Sequence, residues 1–504
     1  MSAFDAMLVR QQERSASAAR LWKGVKRWLY FFHRWTGIIL CLFFAIWFLS
    51  GIVMLYVSFP AFRAGERVAT AAPIDWAQVR TGPDTVLATL RVSAFPAEMR
   101  LGMAGGQPVY VMVTNQGRRS VSARTGLEIR SVDATHAGVI ASTLVRAPVR
   151  SIASVDHDQW VVTRAYKAMA PFWKVRLGDA AATDIYVSQR TGEVVQNCTA
   201  HERFWNWLGA VPHWIYFEAL RLFQEPWRQT VLWTSGIGIL GAIAGVWIGL
   251  LRVRVSARYK SGSVSPYRGW TKWHHIVGLV GGLFLVTWVF SGWLSMSPWG
   301  GVRDRGQVDA ARLYARDRPG FPTIDLAQLA IGAPDAREIR FAYLGGRPVA
   351  TAWGGRNQNR LLDGTSALPI PLSDRHIIAM ARAAMTGAHL VGVERLTHPD
   401  RYWYSTGDLR DDTRPLPILR IMFDDPAKTW LHIDPATGTL LSQQGSGGRS
   451  YRWLFHALHS FDLPWMMAWR PLRDGLVWLL SAAGLAISIS GTVIGWRRLV
   501  GRRH

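Results

Sequence analysis

The sequence predicts a polytopic membrane protein in which four transmembrane helices carry two α+β domains outside the bilayer, the whole arranged as an internal duplication. Three observations predict this. Four long runs are free of charge, the short segments beside them are basic, and the second half repeats residues of the first at a near-constant offset.

The charge-free runs extend from Trp35 to Phe62, Val231 to Leu251, Ile276 to Gly301 and Gly475 to Trp496. Each meets the roughly 20 helical residues that a hydrocarbon core about 30 Å thick requires. The chain accordingly divides into an N-terminal segment (1–27), spans at 28–58, 229–252, 273–298 and 474–497, outer domains at 59–228 and 299–473, a loop at 253–272 and a tail at 498–504. The first run is too long, and follows too many polar residues, to be a cleavable signal peptide.

The formal net charge of +24 has a topological source rather than a nucleic-acid one. Arg10, Arg14, Arg20, Lys23, Lys26, Arg27 and Arg34 precede or open the first span. Arg252, Arg254, Arg258, Lys260, Arg268 and Lys272 lie between the second and third, and Arg497, Arg498, Arg502 and Arg503 follow the fourth. Short basic segments stay in the cytoplasm. The expected location is a bacterial inner membrane, with both termini cytoplasmic and both large domains periplasmic. Cys41 sits in a span and Cys198 in an outer domain, so no intrachain disulfide is expected, and two thiols exclude a four-thiolate iron–sulfur cluster. No HExxH, zinc-spaced cysteine–histidine set, Walker loop or dinucleotide fingerprint occurs.

The repeat organises the remainder. YFFHRWTGIILCLFFAIWFLSG aligns with TKWHHIVGLVGGLFLVTWVFSG at an offset of 241, matching His33 to His274, Gly37 to Gly278 and Ser50-Gly51 to Ser291-Gly292. GGQPVYV aligns with GGRPVAT at 240. At 246, DIYVSQRTGEVV aligns with WLHIDPATGTLL, His213 with His459, Gly245 with Gly491 and Gly249 with Gly495. The Thr-Gly segments predict two short strands around a turn, with Gly192 and Gly438 at positive φ. The GxxxG pairs predict close helix packing. The tryptophans at 205, 207, 214 and 227, and at 453, 465 and 469, read as an interfacial belt.

The matched histidines form two pairs by depth: His33 with His274 at the cytoplasmic edge, and His213 with His459 at the outer edge. One helix cannot bring residues some 20 positions apart to one iron, because each residue rises about 1.5 Å. Singly, each histidine reads as an interfacial polar residue. As two symmetry-matched pairs they read as axial imidazole ligands of haem iron, one haem near each face. Gly37 and Gly278 lie one turn from His33 and His274 and leave room for a flat macrocycle. Arg27, Arg34 and Lys272 inside, and Arg228, Arg470 and Arg473 outside, are candidates to meet haem propionates. His275 and His456 lack matches and stand in reserve as ligands; whether His274 or His275 is the ligand stays open.

HRWTG…FLSG, the outer strand–TG–strand motif and HALHSF…SGTVIGWRR together resemble the PepSY-associated transmembrane (iron-regulated membrane) proteins, from about Trp28 to Arg498. Members of that family include an inner-membrane ferrisiderophore (ferrioxamine B) reductase. The resemblance implies a four-helix core with two b-type haems held by His33, His274, His213 and His459, and two PepSY-like periplasmic domains. It implies an oxidoreductase that carries electrons outward from quinol or a cytoplasmic flavoprotein to a ferric siderophore. A quinol-linked cytochrome b with another periplasmic acceptor would share every ligand. A transporter would need charged or broken helices at the midplane, which the spans lack, and a non-enzymatic PepSY-type binding module would leave the matched histidines unexplained.

Overall fold

The computed structural model describes residues 3–92, 94–298, 309–316, 318, 320–354, 359–405 and 414–501, with side chains from residue 20 onward. Gly301, Arg502 and Arg503, and the side chains of Arg10 and Arg14, lie outside the described residues.

Four helices are long and apolar enough to cross a membrane: Ala3–Met54, whose apolar part begins at Arg20, Gln224–Arg252, Gly269–Ser295 and Arg470–Leu499. They are called the first to fourth spans below. Their outward residues would be untenable in water: Leu42 is 59 % exposed, Leu240 58 %, Val280 73 % and Leu479 67 %. In lipid the same exposure costs nothing, and the chain is a multi-pass membrane protein. Inside the bundle, Leu40, Phe44, Phe48, Ala242, Leu285, Val289 and Ile487 form the core. Glycines admit the large rings, since a Cβ on Gly238 would lie 2.8 Å from Phe44 and one on Gly484 would overlap the ring of Phe48. The second and fourth spans begin several residues before their apolar runs, because turns carrying Glu225 and Arg228, or Arg470 and Arg473, continue the helix past the charge-free stretch.

The segments between the spans build three antiparallel sheets. The first half contributes β1 (Glu98–Ala104), β2 (Gln107–Thr114), β3 (Gly117–Ser122) and β4 (Glu128–Ile129), then β5 (Val149–Val155), β6 (Phe172–Leu177), β7 (Asp184–Ser188) and β8 (Val194–Cys198). The second half contributes β9 (Glu338–Leu344), β10 (Arg347–Trp353) and β11 (Asn359–Asp363), then β12 (Leu390–Leu396), β13 (Ile418–Phe423), β14 (Trp430–Ile433) and β15 (Leu440–Gln444). Strands β5 to β8 form one four-stranded sheet and β12 to β15 another. Each is backed by a helix, Ala134–Val145 or Asp374–Ala384. The Thr-Gly turns join β7 to β8 and β14 to β15, with φ of 70° at Gly192 and 69° at Gly438.

The remaining seven strands form a single sheet in the order β11-β10-β9-β1-β2-β3-β4. The two outer domains expected from the sequence are therefore fused through the β1–β9 pairing rather than independent. That pairing sets Met99 opposite Phe341, Arg100 opposite Arg340, Leu101 opposite Ile339 and Gly102 opposite Glu338. An offset of 240 maps Arg100 onto Arg340, so the matched strands meet about a local two-fold through that pair. Leu101, Tyr110, Leu329, Ile339 and Phe341 share one apolar core beneath it. Opposed arginines would repel. Glu338, 3 % exposed, offsets this by accepting from Arg67 Nε at 2.8 Å and Arg340 Nε at 2.7 Å, with Arg100 Nη1 at 3.7 Å. Burial alone would raise the Glu338 carboxyl, yet the surrounding guanidinium groups hold it down at about 2.

From each four-stranded sheet the chain descends to the bundle. After β8 it forms helices Ala200–Leu208 and Ala210–His213. After β15 it forms helix Ser446–Tyr451, a π-helical turn over Arg452–Ala457, and a last turn Leu458–Ser460. These descending segments carry His213 and His459.

Candidate functional site

The bundle brings the four matched histidines together as two pairs. The His33 and His274 ring centroids are 6.2 Å apart, and those of His213 and His459 6.1 Å. Each pair lines its own cavity, about 280 Å³ on the side of the chain termini and about 580 Å³ on the side of the sheets.

Every ring is oriented by its Nδ1. His33 Nδ1 donates to the Gly241 carbonyl at 2.9 Å. His274 Nδ1 lies 3.2 Å from the Ile487 carbonyl and 3.0 Å from Ser490 Oγ. His213 Nδ1 meets Ser50 Oγ and the Trp47 carbonyl, both at 3.1 Å, and His459 Nδ1 meets Ser291 Oγ at 3.0 Å. A main-chain carbonyl faces each ring (Gly241, Ile487, Trp47 and Trp288), and because a carbonyl can only accept, the histidine nitrogen is the donor and the serine oxygens accept from it. With the proton on Nδ1, the Nε2 lone pair is left to bind, and among the described residues no Nε2 of the four makes a hydrogen bond. A ring nitrogen donating to a backbone carbonyl is how metal-ligating histidines are held.

Glycines of neighbouring spans make the space. A Cβ on Gly245 would lie 2.5 Å from His33 Cε1, and one on Gly491 3.3 Å from His274 Cε1 and 2.5 Å from Cys41 Sγ. A Cβ on Gly51 or Gly292 would lie 3.4 Å from Cε1 of His213 or His459. The first glycine of each GxxxG pair thus serves a histidine as well as helix packing. Gly37 and Gly278 line the terminal-side cavity; a Cβ on Gly278 would meet nothing within 4 Å, and one on Gly37 only Cys41 Sγ at 3.9 Å.

A family model described as "PepSY-associated TM region" matches residues 32–391. The chain belongs to this family. No curated protein matches the chain. The PepSY-associated TM match includes His33, His213 and His274, and the structure places His459, beyond it, in the contact that mirrors His213.

The reserve histidines of this PepSY-associated TM chain differ from the four. His275 is 8 % exposed; its Nε2 donates to the Gly249 carbonyl at 3.0 Å and its Nδ1 accepts from Ser265 Oγ at 2.9 Å, which leaves neither nitrogen for a metal. His456 points its Nδ1 towards Asp462 at 3.8 Å and does not line the cavity. Of the basic candidates, Arg34 lines the terminal-side cavity and Arg473 the sheet-side one, whereas Arg27, Lys272, Arg228 and Arg470 line neither. Arg228 instead donates to the carbonyls of Met296 and Ser297 at the end of the third span. Arg498 at the terminal-side cavity and the orienting roles of Ser50, Ser291 and Ser490 are not apparent from the sequence alone. The repeat itself carried the signal for the first two serines.

The residues fit haem. Among the described residues no group of three or more His, Cys, Asp or Glu side chains could hold a metal ion. Two imidazoles per site therefore suit a metal whose other ligands come from a cofactor. Imidazole–metal bonds of about 2 Å on both sides, with half a ring at each end, set the ring centroids about 6 Å apart, as found in both pairs. Both cavities are predominantly apolar and have arginine at one edge, as an amphipathic macrocycle requires.

Proposed function

We propose that this protein is a di-haem b ferric siderophore reductase of the bacterial inner membrane. In this reading His33 and His274 would hold one haem and His213 and His459 the other. The observation that carries it is the pair of cavities, each with two opposed histidines whose Nδ1 is fixed and whose Nε2 is open. The resemblance of the sequence to ferrisiderophore reductases supports the substrate, and the basic short segments support cytoplasmic termini and periplasmic sheets.

Bound haem supplies a one-electron iron couple that the side chains themselves lack. The protein's part is to orient and insulate. Gly241, Ile487, Trp47 and the serines fix the imidazole planes. The apolar lining excludes water, and Arg34, Arg498 and Arg473 attract the carboxylates of the macrocycle. With haem held there, the His33–His274 site would lie on the side open to quinol or a cytoplasmic flavoprotein as electron donor, and the His213–His459 site on the side open to the ferric chelate. Reduction to ferrous iron weakens hard oxygen ligation, so the iron leaves its chelator.

The test is the absorption spectrum of protein purified after expression with adequate haem, together with His213→Ala and His459→Ala. Reducible haem b bands, with loss of the sheet-side centre alone in either variant, are expected. A spectrum without such bands would refute the reading.

A further inference from the structure

The four histidines are matched between the halves, but what stands behind the sheet-side pair is not. His459 ends a row of aromatic rings at four-residue spacing. Phe455 stacks on its imidazole with centroids 5.1 Å and planes 21° apart, and Tyr451 stacks on Phe455 at 5.3 Å and 24°. Phe455 lines the cavity, and Tyr451 closes the helix that follows β15. The row therefore runs from the cavity to the foot of the second half's outer sheet. Its far end meets the edge of His456 at 5.6 Å, and the His456 side chain is 39 % exposed. The π-helical turn Arg452–Ala457 carries Phe455 within the row. Wide turns of this kind are rare and gather at functional sites.

The first half has no such row among the described residues. At the offset of 246 Phe455 corresponds to Gly209 and Tyr451 to Trp205. Gly209, with φ −105° and ψ −103°, separates Ala200–Leu208 from Ala210–His213, and a Cβ there would lie 2.9 Å from Val53. Trp205 packs on His201 and Phe204, not on His213. Aromatic residues do reach the cavity from this half, but Trp214, Tyr216 and Trp227 meet one another edge to face, and none stacks on a histidine.

We propose that electrons leave the sheet-side site through His459, Phe455 and Tyr451, on the second half only, to an oxygen-chelated ferric complex docked beside Tyr451. This rests on the di-haem reading. Each transfer moves one electron: ferrous iron at the sheet-side site is oxidised to ferric, and the ferric iron of the chelate is reduced to ferrous, with no proton and no leaving group. Electronic coupling falls steeply across gaps, and ring faces in contact leave none between the ligand and the domain surface.

The experiment uses the full-length holoprotein, reduced with dithionite and mixed with ferric citrate, and follows re-oxidation by stopped-flow absorption. Phe455→Leu and Tyr451→Leu each slow re-oxidation by about tenfold, equivalent to about 1.4 kcal/mol of barrier, while Trp205→Leu, at the counterpart of Tyr451 and outside the cavity, stays near wild type. Phe455→Leu also shifts the low-spin electron paramagnetic resonance signal of the sheet-side centre, because it removes the ring stacked on the face of the His459 imidazole. Two haems per chain with unchanged re-oxidation in Phe455→Leu and Tyr451→Leu, or slowing in Trp205→Leu alone, overturns the route and leaves the di-haem reading standing. Wild-type protein without haem overturns both.

Discussion

The proton on Nδ1 decides what each histidine can do, and the residues that hold it are open to substitution. Ser50→Ala and Ser291→Ala remove the side-chain partners of His213 and His459. Loss of such outer partners weakens metal-site affinity by about 10- to 100-fold. Haem titration of the apoprotein should show that loss at the sheet-side site and none at the other. Gly245→Ala acts by volume instead: its Cβ, 2.5 Å from His33 Cε1, displaces the ring, and the same titration should lose the terminal-side site. Much of this was legible in the sequence. Repeat matching brought out Ser50-Gly51 and Ser291-Gly292 together with all four histidines. It did not show that the serine orients a ring 163 residues away, nor separate His274 from His275. That separation depends on how the 253–268 loop folds back to set Ser265 against His275, a contact no local pattern encodes.

Among the elements, the β1–β9 pairing carries the largest departure from expectation. GGQPVYV and GGRPVAT aligned as matched segments of the two halves, but edge-to-edge pairing of strands some 240 residues apart leaves no periodic trace. The pairing covers two sheet edges that would otherwise invite association. Glu338 is its electrostatic centre. Glu338→Gln leaves Arg67, Arg100 and Arg340 without their shared carboxylate, and breaking a buried pair typically costs about 3–5 kcal/mol. Because the folded carboxyl sits at about 2, below its unfolded value of about 4.3, its stabilisation is present above pH 4.3 and is lost as pH falls towards 2. Thermal unfolding followed by circular dichroism should show the wild type losing stability over that window, and Glu338→Gln, less stable at neutral pH, losing less of it.

Across the whole molecule, the two sites are stacked along the bundle. His33 and Ser50, the partner of His213, are 17 positions apart on the first span, about 25 Å along its axis. Phe44 and Leu285 line both cavities and fill the interval within the apolar core. One half of the chain offers one histidine to each cavity and the other half completes the pair, so neither half holds a bis-imidazole site alone. The haem content per chain therefore follows from the duplicated bundle. A pyridine haemochrome assay on purified full-length protein measures it directly. Two haem b per chain are expected, falling to one in His213→Ala or His459→Ala; a wild-type ratio of one, or of none after expression with adequate haem, rules out paired bis-imidazole sites.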